Sequence, residues 1–241
     1  MVEMRERTIK LGLIGDNIAQ SKSPRLHRAA GKISNIKVTY DRLVPKDLDL
    51  TFDQTFDLAK STGYRGLNIT YPYKALVTHK VSISDPLVAA IGAVNTVVFA
   101  PEGPQGYNTD YSGFISAYRT VMRQTSPGTV CLIGAGGVGK AVAFSLLALK
   151  ATTLRCVDLD PAKAQALATA LSDLGSQTQI DVFTDPVAAA KGVDGVINCT
   201  PLGMEGGPDP KGSPMPDDAV LDDSVVVMDT VYAPKETPFL R

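Results

Sequence analysis

A short glycine-rich run constrains the fold of this 241-residue chain more than any other feature. It reads Gly-Ala-Gly-Gly-Val-Gly, fits the pattern G-x-G-x-x-G, and lies between the apolar runs 130–133 and 138–149. That context predicts a strand, a tight turn and a helix, whose amino terminus offers free N–H groups to a pyrophosphate. We therefore predict a dinucleotide site. Its phosphate-binding residues would be Gly134, Ala135, Gly136, Gly137, Val138 and Gly139.

Alternating strand and helix patterns surround this motif and predict an α/β protein of two domains. In the second half, strands are predicted at 130–133, 154–157, 180–183, 193–198 and 225–229, with helices at 138–149, 161–174 and 187–191. This order implies a doubly wound parallel sheet of Rossmann type, which we assign to 113–241. In the first half, 1–112, strands are predicted at 10–15, 38–43, 66–70 and 94–99. Its helices are predicted at 24–31, at 48–61 and from Lys74 onwards, with a turn at 101–106.

A carboxylate after the second strand of the Rossmann half bears on the choice of cofactor. Asp158 lies near the roughly 20-residue spacing at which such an acid binds the adenosine ribose hydroxyls. A carboxylate there accepts hydrogen bonds from a 2′-OH and repels a 2′-phosphate, and Asp160 adds a second negative charge. Arg155 could serve a phosphate, but strand alternation turns it to the face opposite Asp158. The sequence therefore favours NAD, with NADP as the alternative.

Charge and composition narrow the classes of partner. Lys and Arg total 24 while Asp and Glu total 25, so the basic excess of a nucleic-acid binder is missing. The sequence shows neither a signal peptide nor an apolar run of the roughly 18–20 residues that span a membrane. Its three cysteines lack C-x-x-C spacing, its two histidines lack partners at metal spacing, and we expect reduced thiols and no metal. We predict a cytoplasmic protein, either a monomer or a homodimer.

Three groups of polar side chains lie at the ends of predicted strands of the first half, in the segments 21–27, 68–74 and 108–110, and the last is preceded by 93–96. Because parallel strands end along one edge of a sheet, these segments are expected to share a ligand crevice. Their hydroxyls and amides, with one lysine and one aspartate, suit a polyhydroxylated acid. A free lysine, with a pKa near ~10.4, is a poor base, but partial burial and a nearby carboxylate would tune and position Lys74 beside Asp110. On spacing alone, a surface lysine that opens a helix is the commoner case.

Seven motifs in one order, from about residue 10 to the end, resemble the shikimate dehydrogenase family, and in particular its shikimate/quinate dehydrogenase-like branch. They are Gly15 with 21–27 (SKSPRLH), 66–74 (GLNITYPYK), 92–96 (GAVNT), 108–110 (NTD), 134–140 (GAGGVGK), 198–204 (NCTPLGM) and 229–232 (DTVY). The resemblance implies a substrate-binding and catalytic domain at 1–112, and reversible hydride transfer between a ring hydroxyl of shikimate or a relative and a nicotinamide. Shikimate and 3-dehydroshikimate would interconvert in this way.

The same resemblance implies a role for each residue of the site. Lys74 would handle the hydroxyl proton, and Asp110 would orient it. Substrate ligands would be Ser21 and Ser23 at the carboxylate, Asn68, Thr70, Asn95 and Thr109 at the ring hydroxyls, and Tyr232 on the carboxylate side. Further cofactor contacts would come from Asn198, Thr200, Pro201, Gly203, Met204 and Val231.

The chain also departs from the family pattern. Many NADP-dependent members carry Asn-Arg-Thr where this chain has Asp158-Leu159-Asp160, which resembles the NAD-using branch. The family continues past 237–240, and its last stretch supplies a Gln that contacts substrate, so a chain that ends at Arg241 would lack one wall of the site. Two alternatives stay open: an aminoshikimate or folate-type dehydrogenase of the same layout, and a nucleotide- or metabolite-binding protein without turnover. A folate enzyme would need an aromatic-lined cleft, whereas the paired serines and amides favour a small hydroxylated acid.

Overall fold

A computed structural model describes residues 8–241 and divides the chain into two compact units, Met1–Thr109 and Asp110–Arg241. The sequence predicts the division between 112 and 113. The predicted boundary at 112/113 and the observed boundary at 109/110 both fall within one helix, Thr109–Met122. Within the described residues, no helix has the length and apolar content needed to cross a bilayer.

The first unit is built on a five-stranded mixed sheet in the order β2-β1-β3-β4-β5. β1, β2 and β3 are parallel, while β4 runs antiparallel to both β3 and β5. The strands are β1 (Thr8–Ile14), β2 (Lys37–Leu43), β3 (Gly66–Ile69), β4 (Thr96–Ala100) and β5 (Gly103–Tyr107). The helices are α1 (Ser23–Ile33), α2 (Phe52–Ser61) and α3 (Pro86–Ile91), with 3-10 helices at Pro45–Leu48 and Leu76–Lys80.

The turn predicted at 101–106 is wrong, because most of that segment is strand β5. Glycine and proline are poor strand formers, so the sequence of this segment predicts a turn. The strand forms because it pairs with β4, from Thr96 opposite Tyr107 to Ala100 opposite Gly103. Packing also demands glycine here, since a Cβ on Gly106 would lie 2.5 Å from Val81 Cγ2. Because β5 again runs parallel to β3, its carboxyl end reaches the edge at which β1 and β3 end.

Two helix predictions in the first unit also need correction. The helix expected from Lys74 is a turn followed by the 3-10 helix Leu76–Lys80, because the chain must return to pair Ser82 with Gln105. The helix expected from Leu48 begins at Phe52 instead, where Thr51 and Gln54 form a reciprocal capping box. Helix α3 was not predicted, although Asp85 caps it by accepting from the Leu87 N–H at 2.8 Å.

The second unit is a doubly wound parallel sheet in the order β10-β9-β6-β7-β8, and the predicted fold class is confirmed. Strand order reverses between β6 and β9, the kind of point at which such sheets bind ligands. Its strands are β6 (Thr129–Ile133), β7 (Thr153–Val157), β8 (Gln179–Phe183), β9 (Gly195–Asn198) and β10 (Val226–Asp229). Its helices are α4 (Thr109–Met122), α5 (Gly137–Ala148), α6 (Pro161–Ser172) and α7 (Pro186–Ala189), followed by a 3-10 helix at Pro238–Leu240.

Candidate functional site

The glycine-rich turn of the second unit joins β6 to α5, as predicted. Gly134 has a φ of +104°, and its N–H donates to the Val157 carbonyl at 2.7 Å. Gly139 lies against the turn, where a Cβ would approach the Gly134 carbonyl oxygen to 1.8 Å. In contrast, a Cβ on Gly136 or Gly137 would meet nothing within 4 Å. The protein's own packing therefore requires glycine at 134 and 139, whereas the bare backbone at 136 and 137 leaves space that fits a ligand's pyrophosphate.

The start of α5 supplies the electrostatic part of this site. No side chain caps the helix at Gly136, and both Gly136 and Gly137 are exposed. Uncapped N–H groups at a helix amino terminus carry a partial positive charge and bind phosphate oxygens. The residues present thus fit a dinucleotide.

Asp158 is fixed beside the turn by two backbone donors. Its Oδ2 accepts from the Ala135 N–H at 2.7 Å, and its Oδ1 accepts from the Asp160 N–H at 2.9 Å. Arg155 instead donates to the carbonyls of Ala189 and Lys191 at 3.0 and 2.7 Å. The expected separation of Arg155 from Asp158 is therefore present, and this arginine is committed to the chain's own carbonyls.

A buried polar cluster holds the carboxyl ends of β9 and β10 together. Asn198 is fully buried, and its Nδ2 donates to Asp229 Oδ1 at 3.0 Å. Its Oδ1 accepts from both the N–H and the hydroxyl of Thr200, at 2.8 and 2.7 Å. Asp229 also accepts from the Val231 N–H at 2.8 Å and from the Thr237 hydroxyl at 2.6 Å. The Asn198 side chain thus orients the segment after β9.

The remaining predicted cofactor and substrate residues of the second unit differ in exposure. Gly203 is buried with a φ of +79°, while Pro201 and Met204 are exposed in the loop that follows β9. Val231 is buried and Tyr232 is 74% exposed. Asp110 is half-buried in the first turn of α4.

The cysteines are free and buried. Burial raises the pKa of both Cys131 and Cys156 to about 12, and it raises that of Cys199 as well, with a further contribution from the negative Asp229. All three are therefore inert thiols at neutral pH. Among residues 8–241, no group of three His, Cys, Asp or Glu side chains has the geometry of a metal site.

In the first unit, two serines lie where α1 begins. Ser21 Oγ accepts from the Ser23 N–H at 3.3 Å, and the Ser21 carbonyl accepts from Arg42 Nη2 at 3.0 Å. Both serines are half-buried. Hydroxyl donors near a helix amino terminus suit a carboxylate.

A line of five hydrogen-bonded side chains crosses the strand ends of the first unit, and we call it the edge network. Tyr40 Oη donates to Asn68 Oδ1 at 2.8 Å, and Asn68 Nδ2 donates to Thr96 Oγ1 at 3.4 Å. Asn95 Oδ1 accepts from the Thr96 hydroxyl at 2.9 Å, from the Thr109 N–H at 2.9 Å and from the Thr109 hydroxyl at 3.1 Å. The network brings together three of the predicted substrate ligands, Asn68, Asn95 and Thr109.

Thr70 and Lys74 belong to the turn that follows β3. The Thr70 N–H donates to the Ile14 carbonyl at 2.9 Å, and the Lys74 carbonyl accepts from the Val94 N–H at 2.8 Å. Gly15 is needed here, since a Cβ on it would lie 2.2 Å from Thr70 Cγ2. Thr70 and Lys74 are each half-buried, on a backbone tied to both neighbouring segments.

The sequence reasoning missed four residues that organise these sites: Tyr40, Thr96, Asp229 and Thr237. Thr96 and Asp229 lie inside quoted motifs, and their positions at strand ends could have singled them out. Tyr40 offered no such signal, because it reaches Asn68 only through the pairing of β2, β1 and β3.

Known proteins resemble the chain over nearly all of its length. A family model described as the shikimate dehydrogenase substrate binding domain matches residues 13–97. The quinate/shikimate dehydrogenase (NAD(+)) of Corynebacterium efficiens is 39% identical over 99% of this chain and 84% of its own. The shikimate dehydrogenase (NADP(+)) of Pseudarthrobacter chlorophenolicus is 34% identical over 100% of this chain and 82% of its own.

Two solved structures that resemble this chain are of the same enzyme types as these sequence relatives. Quinate dehydrogenase from Corynebacterium glutamicum, in complex with NAD, has a TM-score of 0.87 and 33% identity, covering 97% of this chain and 84% of that chain. Shikimate 5-dehydrogenase from Thermus thermophilus, in complex with NADP(H) and shikimate, has a TM-score of 0.80 and 28% identity, covering 97% of this chain and 82% of that chain. The chain belongs to the shikimate dehydrogenase family.

Proposed function

We propose that this chain is an oxidoreductase that moves a hydride reversibly between a ring hydroxyl of a shikimate- or quinate-type acid and a nicotinamide. In the direction of oxidation, shikimate and NAD(P)⁺ give 3-dehydroshikimate, NAD(P)H and a proton. One observation carries the proposal: nearly the whole chain aligns at 39% identity with a relative named quinate/shikimate dehydrogenase (NAD(+)). The glycine turn and the edge network supply the two binding chemistries that this reaction needs.

The second unit holds the cofactor, and we favour NAD over NADP. When bound, the nicotinamide accepts or returns the hydride. Residues 134–139 cradle the pyrophosphate, and Asp158 accepts hydrogen bonds from the ribose hydroxyls while its charge disfavours a 2′-phosphate. The Nη1 group of Arg155 is used in hydrogen bonds to the Ala189 and Lys191 carbonyls, which favours a local role for this arginine over contact with a 2′-phosphate. Residues on the nicotinamide side are Thr200, Pro201, Gly203, Met204 and Val231, with Asn198 behind them.

In the first unit, Lys74 handles the proton. It takes up the proton of the ring hydroxyl as the hydride leaves carbon, and it returns that proton in the reverse direction. Its backbone is tied to Val94, which suits a residue that must hold its place. Asp110 orients the side-chain nitrogen of Lys74 and shares its hydrogen bonds.

The substrate's carboxylate and hydroxyls are held by separate groups of side chains. Ser21 and Ser23 bind the carboxylate, with Tyr232 closing on that side. Asn68, Thr70, Asn95 and Thr109 bind the ring hydroxyls. Holding both ends of a small acid orients the reacting carbon toward the cofactor.

We also propose that the protein works in the cytoplasm as a monomer or homodimer. Its three buried free cysteines suit a reducing compartment.

Steady-state kinetics test the proposed function. Shikimate and quinate are each paired with NAD and NADP, on the wild-type chain, on Lys74→Ala and on Lys80→Ala. Lys80 is the control because it forms ion pairs with Asp53 and Asp57. We expect turnover with NAD, a loss of at least ~100-fold in kcat in Lys74→Ala, and near wild-type kcat in Lys80→Ala. Wild-type protein without turnover in any pairing would refute the proposal, and an active Lys74→Ala would refute the role of Lys74.

A further inference from the structure

A single backbone N–H sets the direction of every hydrogen bond in the edge network. The Thr109 N–H can only donate, so the Asn95 atom that it meets at 2.9 Å is the carboxamide oxygen. Thr96 Oγ1 meets the same oxygen at 2.9 Å and must therefore donate its hydrogen there. It then accepts from Asn68 Nδ2, which leaves Asn68 Oδ1 to accept from Tyr40.

Both carboxamides are consequently fixed in one orientation. Asn95 Oδ1 already has three donors, so Nδ2 is the atom of this group that remains to meet a ligand. Asn68 Oδ1 is used by Tyr40, and its Nδ2 has a second hydrogen beyond the one given to Thr96. The two amides therefore offer hydrogens to a ligand rather than lone pairs.

We propose that Tyr40 and Thr96 are positioning residues that hold Asn68 and Asn95 as hydrogen-bond donors, so that the substrate oxygens bound there must act as acceptors. This inference rests on the proposed function, in which the two amides bind ring hydroxyls. It adds a direction to those hydrogen bonds and gives a role to two residues that touch no reacting atom.

Tyr40 is suited to act as a permanent donor. The side chain is 3% exposed and its ring lies against His27, with centroids 4.9 Å apart. Burial raises the pKa of Tyr40 to about 12, against smaller lowering contributions from a hydrogen bond with Ser23 and from the charge of Arg42. The backbone is held as well, because Arg28 Nη2 donates to the Tyr40 carbonyl at 3.0 Å. The phenol therefore keeps its hydrogen throughout the neutral pH range.

This polarity predicts which substituents the site accepts. Hydroxyl and keto oxygens both have lone pairs, so either meets the donor groups of Asn68 and Asn95. An ammonium group has only donors, and at either position it would face another donor with no acceptor between them. A ring acid that carries an amine in place of a hydroxyl bound by Asn68 or Asn95 should therefore be a poor ligand. Its binding would leave buried donors without an acceptor, which strongly weakens the affinity for such an analogue.

Kinetics of Tyr40→Phe, Thr96→Val and Thr96→Ser, measured with shikimate, quinate and an analogue of shikimate that carries an amine in place of one ring hydroxyl, test this inference. Losing one orienting hydrogen bond should raise KM for the hydroxy acids about 5- to 20-fold in Tyr40→Phe and Thr96→Val. The KM for NAD should stay within about twofold of wild type, and thermal unfolding confirms that each variant is folded. Thr96→Ser keeps the hydroxyl and should restore KM. The ratio of kcat/KM for shikimate to kcat/KM for the amine analogue should be smaller in Tyr40→Phe and Thr96→Val than in the wild type.

The outcomes separate this inference from the proposed function. Wild-type protein that turns over neither acid would refute the function and the inference with it. Active wild type, with unchanged KM and unchanged preference in folded Thr96→Val, would overturn the inference alone. A Thr96→Ser variant as impaired as Thr96→Val would show that the residue's role is packing. The Thr96 pair carries the test even if Tyr40→Phe fails to fold.

Discussion

At the scale of single residues, two glycines of one turn are required for opposite reasons. Gly139 is required by the protein, since a Cβ there would approach the Gly134 carbonyl oxygen to 1.8 Å. The protein's own packing does not require Gly136, since a Cβ there would meet nothing within 4 Å and its φ of −73° suits any residue. The predicted reason for glycine at 136 is the close approach of the cofactor's pyrophosphate. The motif predicts this division, since its second glycine lets the backbone approach a pyrophosphate and its third lets the helix pack closely on the strand.

Alanine substitutions separate the two requirements. We expect Gly136→Ala to change the free energy of unfolding by less than about 1 kcal/mol, yet to weaken NAD binding about tenfold or more. Gly139→Ala should lower the free energy of unfolding by about 3 kcal/mol, although alanine normally stabilises a helix relative to glycine. Gly113→Ala in α4 is the matched control, since its Cβ would also meet nothing within 4 Å. Chemical denaturation and titration calorimetry measure both quantities, and wild-type NAD affinity in Gly136→Ala would contradict this assignment.

The sequence does not predict the residues that position the ligand-binding side chains, and the reason is physical. The glycine turn and Asp158 were accessible because spacing along the chain determines their arrangement. Tyr40 and Asn68 meet only because β1 lies between β2 and β3 in the sheet. Such a contact depends on strand order, which local patterns do not contain.

At the scale of elements, the second unit followed its pattern closely, while the first did not. Strands β6, β7 and β8 are each followed by a helix, and β6 and β9 are buried runs, so hydrophobic patterning identifies most of this unit. Strand β5 has the sequence Gly-Pro-Gln-Gly-Tyr and forms because β4 pairs with it. Helix α3 was overlooked although Asp85 followed by Pro86 is a recognised helix start.

The carboxylate of Asp229 links three elements of the second unit. It contacts Asn198 at the end of β9, lies at the end of β10, and accepts at 2.6 Å from the fully buried Thr237 before the last 3-10 helix. Removing the Thr237 hydroxyl would leave a carboxylate oxygen without its short hydrogen bond.

We therefore expect Thr237→Val to lower the free energy of unfolding by about 1–3 kcal/mol and to speed hydrogen exchange across 230–241. Thr237→Ser keeps the hydroxyl and should stay close to wild type. Mass spectrometry of deuterium uptake locates the change. Equal protection of this segment in the Val and Ser variants would show that the hydrogen bond does not hold it.

At the scale of the whole molecule, the chain combines two units with different binding chemistry. The first unit presents hydroxyls, amides and Lys74 along the edge of a mixed sheet, which suits a small hydroxylated acid. The second unit presents a glycine turn, a helix amino terminus and Asp158, which suit a dinucleotide. We propose that these two ligands exchange a hydride.

Direct transfer of isotope tests that claim. Shikimate or quinate bearing deuterium on the carbon that carries the reacting hydroxyl is incubated with the wild-type chain and NAD, and the reduced cofactor is analysed by mass spectrometry. We predict that the deuterium appears in the reduced nicotinamide, because the hydride passes from carbon to cofactor without exchange with water. Reduced cofactor without deuterium, or no reduced cofactor with either acid, would contradict the claim.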